Sequence, residues 1–177
     1  MKTDLTISTK RLLLRPLALT DLGSAHAYAG DAENSKYMLF LPNETIADTE
    51  KFLRYAANEW EKDLPRAYEF AIVLEGRHIG AVSVEIDEKG QEGEMGWVLH
   101  SGYQGKGYAT EAAKALSDFA INELKVTKLV AHCDFRNTAS KKVMENIGMA
   151  LISDDGVRTY RDGETAKECE YGLEVSK

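Results

Sequence analysis

Cysteine is scarce in this chain. Cys133 and Cys169 are its only two, and neither stands in a metal-ligand or redox spacing, so no metal and free thiols are expected. Proline is equally sparse, at three residues, and no Ser/Gly-rich linker or internal repeat interrupts the chain. That evenness over 177 residues predicts one domain spanning 1–177. Apolar runs fall well short of the roughly 18 to 20 residues needed to cross a bilayer. The opening Met1-Lys2-Thr3-Asp4 lacks the apolar core of a signal peptide, so a cytoplasmic location away from membranes is expected. Basic charge is also short: 22 Lys and Arg face 29 Asp and Glu, a net charge of -7. No predicted helix carries the basic face that a nucleic-acid binder needs. The acidic surplus suits a solvated surface, and it would also draw cationic amines towards a cleft.

Hydrophobic residues make up 44% of the chain, enough to fill a core. Leu12, Leu14 and Leu17 mark a first strand over 7–17. Thr20-Asp21 offers an N-cap to a short helix through Ala25 and Tyr28, and helical spacing of Phe52, Leu53, Ala56 and Trp60 predicts a second over 46–60. Residues 68–74 and 79–86 read as a hairpin, with a further strand over 92–99. A glycine-rich loop over 101–107 then opens a helix bearing Ala112, Leu116, Phe119 and Ala120, followed by a strand over 128–133. Strand, helix and strand there make a β-α-β crossover, which requires parallel strands. Asn137 caps a last helix that Gly148 ends, and 157–161 pairs with 165–173 around Asp162-Gly163. The order β-α-α-β-β-β-α-β-α-β-β predicts an α+β fold with a mixed, mostly antiparallel sheet.

Three phosphate-binding patterns compete for the glycine loop. A Walker A loop needs Lys-Ser/Thr after its second glycine, but Tyr108-Ala109 follows Gly107. A dinucleotide fingerprint needs a third glycine where Thr110 stands, and Asp134 lies at a poor spacing for its ribose-binding acid. The third pattern, Gln/Arg-x-x-Gly-x-Gly/Ala, is met by Gln104-x-x-Gly107-x-Ala109. Small residues let backbone N–H groups curl round a pyrophosphate at the positive end of the following helix, and Lys106 would add charge.

The surroundings of that loop carry a family resemblance. Thr9-Lys10-Arg11-Leu12-Leu13-Leu14-Arg15-Pro16-Leu17 opens it, and Glu94-Met95-Gly96-Trp97-Val98-Leu99 continues it. The run Tyr103-Gln104-Gly105-Lys106-Gly107-Tyr108-Ala109-Thr110-Glu111-Ala112 and the stretch from Asn137-x-x-Ser140 to Gly148-Met149 complete it. In these the chain resembles the GNAT acetyltransferases, and within them the branch that holds the ribosomal-protein N-terminal acetyltransferases. The resemblance implies a GNAT-like sheet and transfer of acetyl from acetyl-CoA, as cosubstrate, to an amine of a small molecule or a protein N-terminus. It implies that strand backbone at Val98 and Leu99 meets the pantetheine arm and that Gln104, Gly105, Lys106, Gly107, Tyr108, Ala109 and Thr110 form the pyrophosphate loop. Asn137 matches the family's pantetheine-contacting asparagine, a role compatible with capping a helix. The family admits homodimers, and no residue here decides the matter.

Transfer to an amine needs a base for the ammonium proton, a site for the developing oxyanion and help for the leaving thiolate. Glu94 is the first candidate base; alternation puts Glu92 on the same face, so the choice between them stays open. A strand N–H near Val98 would meet the oxyanion. Many family members carry a tyrosine seven residues after the capping asparagine, where this chain has Met144. Ser140 matches a serine of the ribosomal-protein branch that would orient the sulfur. Cys133 reads as a small core residue, while His100 and His132 lack an obvious partner and read as surface or packing residues. The segment 37–65 would supply a wall of the acceptor site. Two other functions stay open: a non-catalytic CoA-binding module, fed by Met144, and a dinucleotide-dependent oxidoreductase.

Overall fold

The computed structural model describes residues 5–175. The first apolar run is not one strand but two, β1 (Ile7–Ser8) and β2 (Leu12–Pro16), folded back so that Ile7 faces Leu14. Thr9 makes that turn: its N–H donates to the Leu12 carbonyl and its hydroxyl oxygen accepts the Leu12 N–H. Asp21 does not cap helix α1 (Leu22–Ala29) with its side chain. Its carboxylate is taken by the Arg15 guanidinium at 2.6 and 2.8 Å, a charged two-point contact stronger than a cap. Helix α2 (Ile46–Trp60) begins in a reciprocal capping box between Thr45 and Asp48 and turns Leu53, Ala56 and Trp60 inward.

Strands β3 (Ala67–Leu74), β4 (Arg77–Ile86) and β5 (Glu92–Leu99) form the antiparallel meander. Glu75 and Gly76, both at positive φ, make its first turn in two residues, the geometry that matches strand twist. Helix α3 (Tyr108–Asn122) crosses to β6 (Lys128–Asp134), which runs parallel to β5. Helix α4 (Thr138–Asn146) follows, then the hairpin β7 (Ala150–Thr159) and β8 (Thr165–Glu174). The sequence places the start of β7 only at Val157, but the strand begins at Ala150 and takes in Ser153-Asp154-Asp155-Gly156. In the structure β7 is an edge strand that absorbs those residues as register shifts against β8, where their polar side chains stay in water.

The described residues form one eight-stranded sheet, in the order β1-β2-β3-β4-β5-β6-β8-β7. All its pairings are antiparallel except β5 with β6. One face packs Ile72, Val82, Val84 and Leu129 under Leu116 and Ala120 of α3 and Met144 of α4. The other packs Ala71, Val73 and Ala81 against Ala25 and Tyr28 of α1 and Leu53 of α2. Leu116 is fully buried, so Leu116→Ala would cost about 2–5 kcal/mol. No helix among the described residues is long and apolar enough to cross a membrane.

Candidate active site

The one parallel pairing is short. β5 and β6 are in register only at Glu92↔Lys128, Gly93↔Leu129 and Glu94↔Val130. Beyond Glu94 each strand stays with its outer neighbour, β5 with β4 to Gly80↔Leu99 and β6 with β8 to Asp134↔Glu168. Two arms bound to different partners cannot close on each other, so the sheet forks. A cleft of about 530 Å³ lies at the fork. Its walls include Glu94 and His132 from one face and Met95, Cys133 and Ser140 from the other. Since Glu94 and Met95 point to opposite faces of one strand, the opening passes through the sheet. A larger depression, about 630 Å³, lies between β2 and α2. It shares no residue with the fork, and its Arg15 is already spent on Asp21.

Glu92 and Glu94 now separate. Glu92 sits where the strands are still paired and binds Lys128 at 2.7 Å, away from the cleft. Glu94 stands at the branch point and lies 2.9 Å from Nδ1 of His132. His132 therefore has a partner after all: β6 brings it beside Glu94 across the parallel pair, a neighbour 38 residues distant in sequence. The hydrogen bond to His132 holds the Glu94 carboxyl below its usual range, and the same bond raises the imidazole above its own. Since an ionised carboxylate only accepts, Nδ1 is the donor and Nε2 is the basic nitrogen of the neutral ring. On the same face, burial and then the nearby Glu85 push Glu69 up to about 7, but Glu69 does not line the cleft. His100 also has a partner, accepting the Gly102 N–H on Nδ1.

The glycine loop lies at the carboxyl end of β5, on the open side of the fork. Gly105 and Gly107 take φ of 74° and 79°, left-handed values that a side chain resists. Gly107 occupies the N-cap of α3 and offers no side chain to it, so the amides of Tyr108, Ala109 and Thr110 point outward uncapped. A second set of contacts braces this loop from below. Glu111 accepts from the Thr9 hydroxyl at 2.6 Å, the Arg11 N–H at 2.8 Å and Arg11 Nε at 2.6 Å. Arg11 Nη1 reaches the Lys106 carbonyl, and its guanidinium covers the Tyr108 ring. Lys106 Nζ donates to the Gly102 carbonyl, and Gln104 Nε2 donates to the Leu99 carbonyl and to Asn34 Oδ1. Val98 and Leu99 line the arm of β5 that β6 has left.

Asn137 caps α4 as its sequence suggests, its Oδ1 accepting the Ser140 N–H at 3.1 Å. Ser140 lines the cleft on the same side as Cys133, whose thiol burial pushes up to about 11, an unreactive state. Met144 is buried in the core and brings no proton donor to the site. Asp134 is fully buried and taken by Arg136 and by the Tyr160 hydroxyl at 2.6 Å. An acid so occupied has nothing left for a ribose, and the dinucleotide reading fails with it. Among the described residues no cluster of His, Cys, Asp and Glu is arranged to hold a metal ion.

A family model for the acetyltransferase (GNAT) domain matches residues 11–150. The chain belongs to the GNAT acetyltransferases. Among curated relatives, the uncharacterised N-acetyltransferase YnaD of Bacillus subtilis (strain 168) is 32% identical over 81% of this chain and 81% of its own. Among solved structures, a GNAT-family acetyltransferase from Bacillus anthracis superposes with a TM-score of 0.85 at 28% identity, covering 96% of this chain and 98% of that one. RimL, a ribosomal L7/L12 alpha-N-protein acetyltransferase in complex with coenzyme A, shares the fold with a TM-score of 0.84 at 17% identity. It is covered to 98%, and this chain to 97%.

In this GNAT protein the fork gathers Glu94, Ser140 and Asn137, with the glycine loop at its open end, while Glu92 stays outside the cleft. The sequence offers no partner for His132, which reads there as a surface or packing residue, and no role for Arg158, yet both line the same cleft. Strand alternation alone would have placed His132 on one face with Asp134; only the parallel register to Glu94 gives it a partner. The expected acceptor wall narrows to residues 37–41. The segment around it is tied at Asn34 to Gln104 and at the Pro42 carbonyl to Arg161.

Proposed function

We propose that this protein transfers acetyl from acetyl-CoA to a primary amine held in the cleft at the fork, with a protein or peptide α-amine among the candidate acceptors. The observation that carries the reading is the fork itself, with left-handed glycines and an uncapped helix start at its open end and a carboxylate–imidazole pair at its branch point. The residues fit the cofactor: Gly105 to Thr110 present N–H groups to a pyrophosphate, and the arm at Val98 and Leu99, paired to β4 but free of β6, offers its open edge to the pantetheine amides. Acetyl-CoA supplies an activated acyl group.

Glu94 and His132 act together as the base. Nδ1–H of His132 stays on Glu94, and Nε2 takes the proton that the acceptor ammonium must lose before it can attack. An N–H near Val98 meets the developing oxyanion, and Ser140 orients the departing sulfur. The reading takes the protein as cytoplasmic, a compartment in which the buried thiols Cys133 and Cys169 stay free.

Calorimetric titration with acetyl-CoA, with NADH as control, tests the cofactor side. Release of free CoA thiol on adding amines tests the transfer. Saturable binding of acetyl-CoA alone, followed by amine-dependent thiol release, is expected. Binding without release on any amine would reduce the protein to a CoA-binding module.

A further inference from the structure

β7 is an edge strand of ten residues, and only one of them, Arg158, is buried. A long cation is the least expected residue to fill that position, since arginine is almost never buried unless paired. Its pairing is incomplete. Nε and Nη1 have no hydrogen-bond partner, and the nearest carboxylate oxygen, on Glu168, is 3.6 Å from Nε, beyond hydrogen-bond reach. Tyr160 lies 5.6 Å from the guanidinium carbon and offers only its ring face. Two buried donors on a permanent cation are thus left open, and Arg158 lines the acceptor cleft. No other arginine or lysine does so among the described residues.

We propose that Arg158 anchors a carboxylate of the acceptor, so that the preferred substrate is a primary amine that also carries a carboxylate within the span of the cleft. The inference rests on the reading that this cleft takes the amine. Glu85 and Glu94 line the cleft and suit the ammonium, Glu168 stays beside the guanidinium 3.6 Å from Nε, and the open Arg158 donors suit a carboxylate by a charge-assisted hydrogen bond. A dipolar molecule satisfies both ends. A polyamine satisfies only the acids and brings a further cation towards Arg158, so the same arrangement selects against it. The carboxylate has two sources: the α-carboxylate of a free amino acid, or an acidic side chain near a peptide N-terminus.

Steady-state thiol release distinguishes them. Free L-amino acids are compared with their amides, and short peptides beginning with an acidic residue with those beginning with its amide analogue; spermidine serves as the polyamine. The carboxylate member of one pair is expected to show roughly ten- to hundredfold higher kcat/KM, the loss typical of a hydrogen bond to a charged group. The pair that shows it names the source. Arg158→Met should erase that preference by raising the acceptor KM while leaving the KM for acetyl-CoA unchanged, and Arg158→Lys should restore part of it. Turnover of amines with no dependence on the carboxylate in either pair would overturn the inference alone. Absence of turnover with every amine, despite bound acetyl-CoA, would overturn the transfer reading and this inference with it.

Discussion

The two sides of the fork are built from different materials. The proposed cofactor side is backbone: left-handed Gly105 and Gly107, the uncapped amides that follow them and an unpaired strand edge. Its side chains, Thr9, Arg11 and Glu111, bind one another beneath the loop. The proposed acceptor side is side chain: Glu94 from β5, His132 from β6, Arg158 from β7 and the wall at 37–41, from four separate stretches of chain. A backbone site is sensitive to conformation and tolerant of most side-chain changes, whereas a side-chain site has the opposite sensitivities. Perturbing each side separately should therefore divide binding of acetyl-CoA from chemistry.

The largest separation is expected from His132→Ala. Removing the imidazole takes away the proposed proton acceptor and should lower kcat by about 10²- to 10⁴-fold, the usual worth of a positioned base. Acetyl-CoA affinity, measured by calorimetry, should stay within about twofold, since binding energy on that side resides in amides. A parallel fall in affinity would mean that the two sides are not independent. The mirror experiment is Gly107→Val. At φ 79° a β-branched residue is strained, and its Cβ would also stand 3.4 Å from Arg11 Nη2. The loop must shift, and loss of one amide-to-phosphate hydrogen bond would weaken acetyl-CoA roughly ten- to hundredfold. At saturating acetyl-CoA most of the kcat should return. Unchanged affinity would remove the loop from the cofactor site.

The same division explains what could be read from the sequence. Backbone sites announce themselves locally: glycines one and three residues before a periodic apolar helix already imply left-handed turns and free amides. The α+β order, the crossover and the cap at Asn137 are legible for the same reason, since each depends on neighbours within a few residues. Asp21 does take the N-cap position, but its side chain does not cap because Arg15, a tertiary partner, outcompetes the local amides. The first strand was misread because Thr9 folds it into a hairpin that local alternation does not reveal. On the acceptor side nearly everything depends on register. His132 meets Glu94 only because β5 and β6 run parallel with Glu94 beside Val130, and Arg158 enters the cleft only because β7 pairs outside β8. No residue pattern along the chain specifies those offsets, which are set by how helices and strands pack.

The finest test concerns which member of the carboxylate–imidazole pair carries the proton, and Glu94→Gln answers it. His132 titrates above the usual histidine range because the ionised Glu94 favours its charged form. If Nε2 of His132 is the base, the rate rises with pH as His132 loses its proton, and its limb lies above about 6.5 in the unaltered protein. Glutamine keeps a hydrogen-bonding oxygen for Nδ1–H but carries no charge. The imidazole in Glu94→Gln should titrate lower, and the limb should move towards acid pH. Turnover at the plateau should fall by only about tenfold, because a neutral partner stabilises the imidazolium less and weakens the base. If instead Glu94 is itself the base, glutamine cannot accept the proton, and turnover should vanish at every pH with no displaced limb. A displaced limb with residual activity assigns the proton to His132; a flat loss assigns it to Glu94.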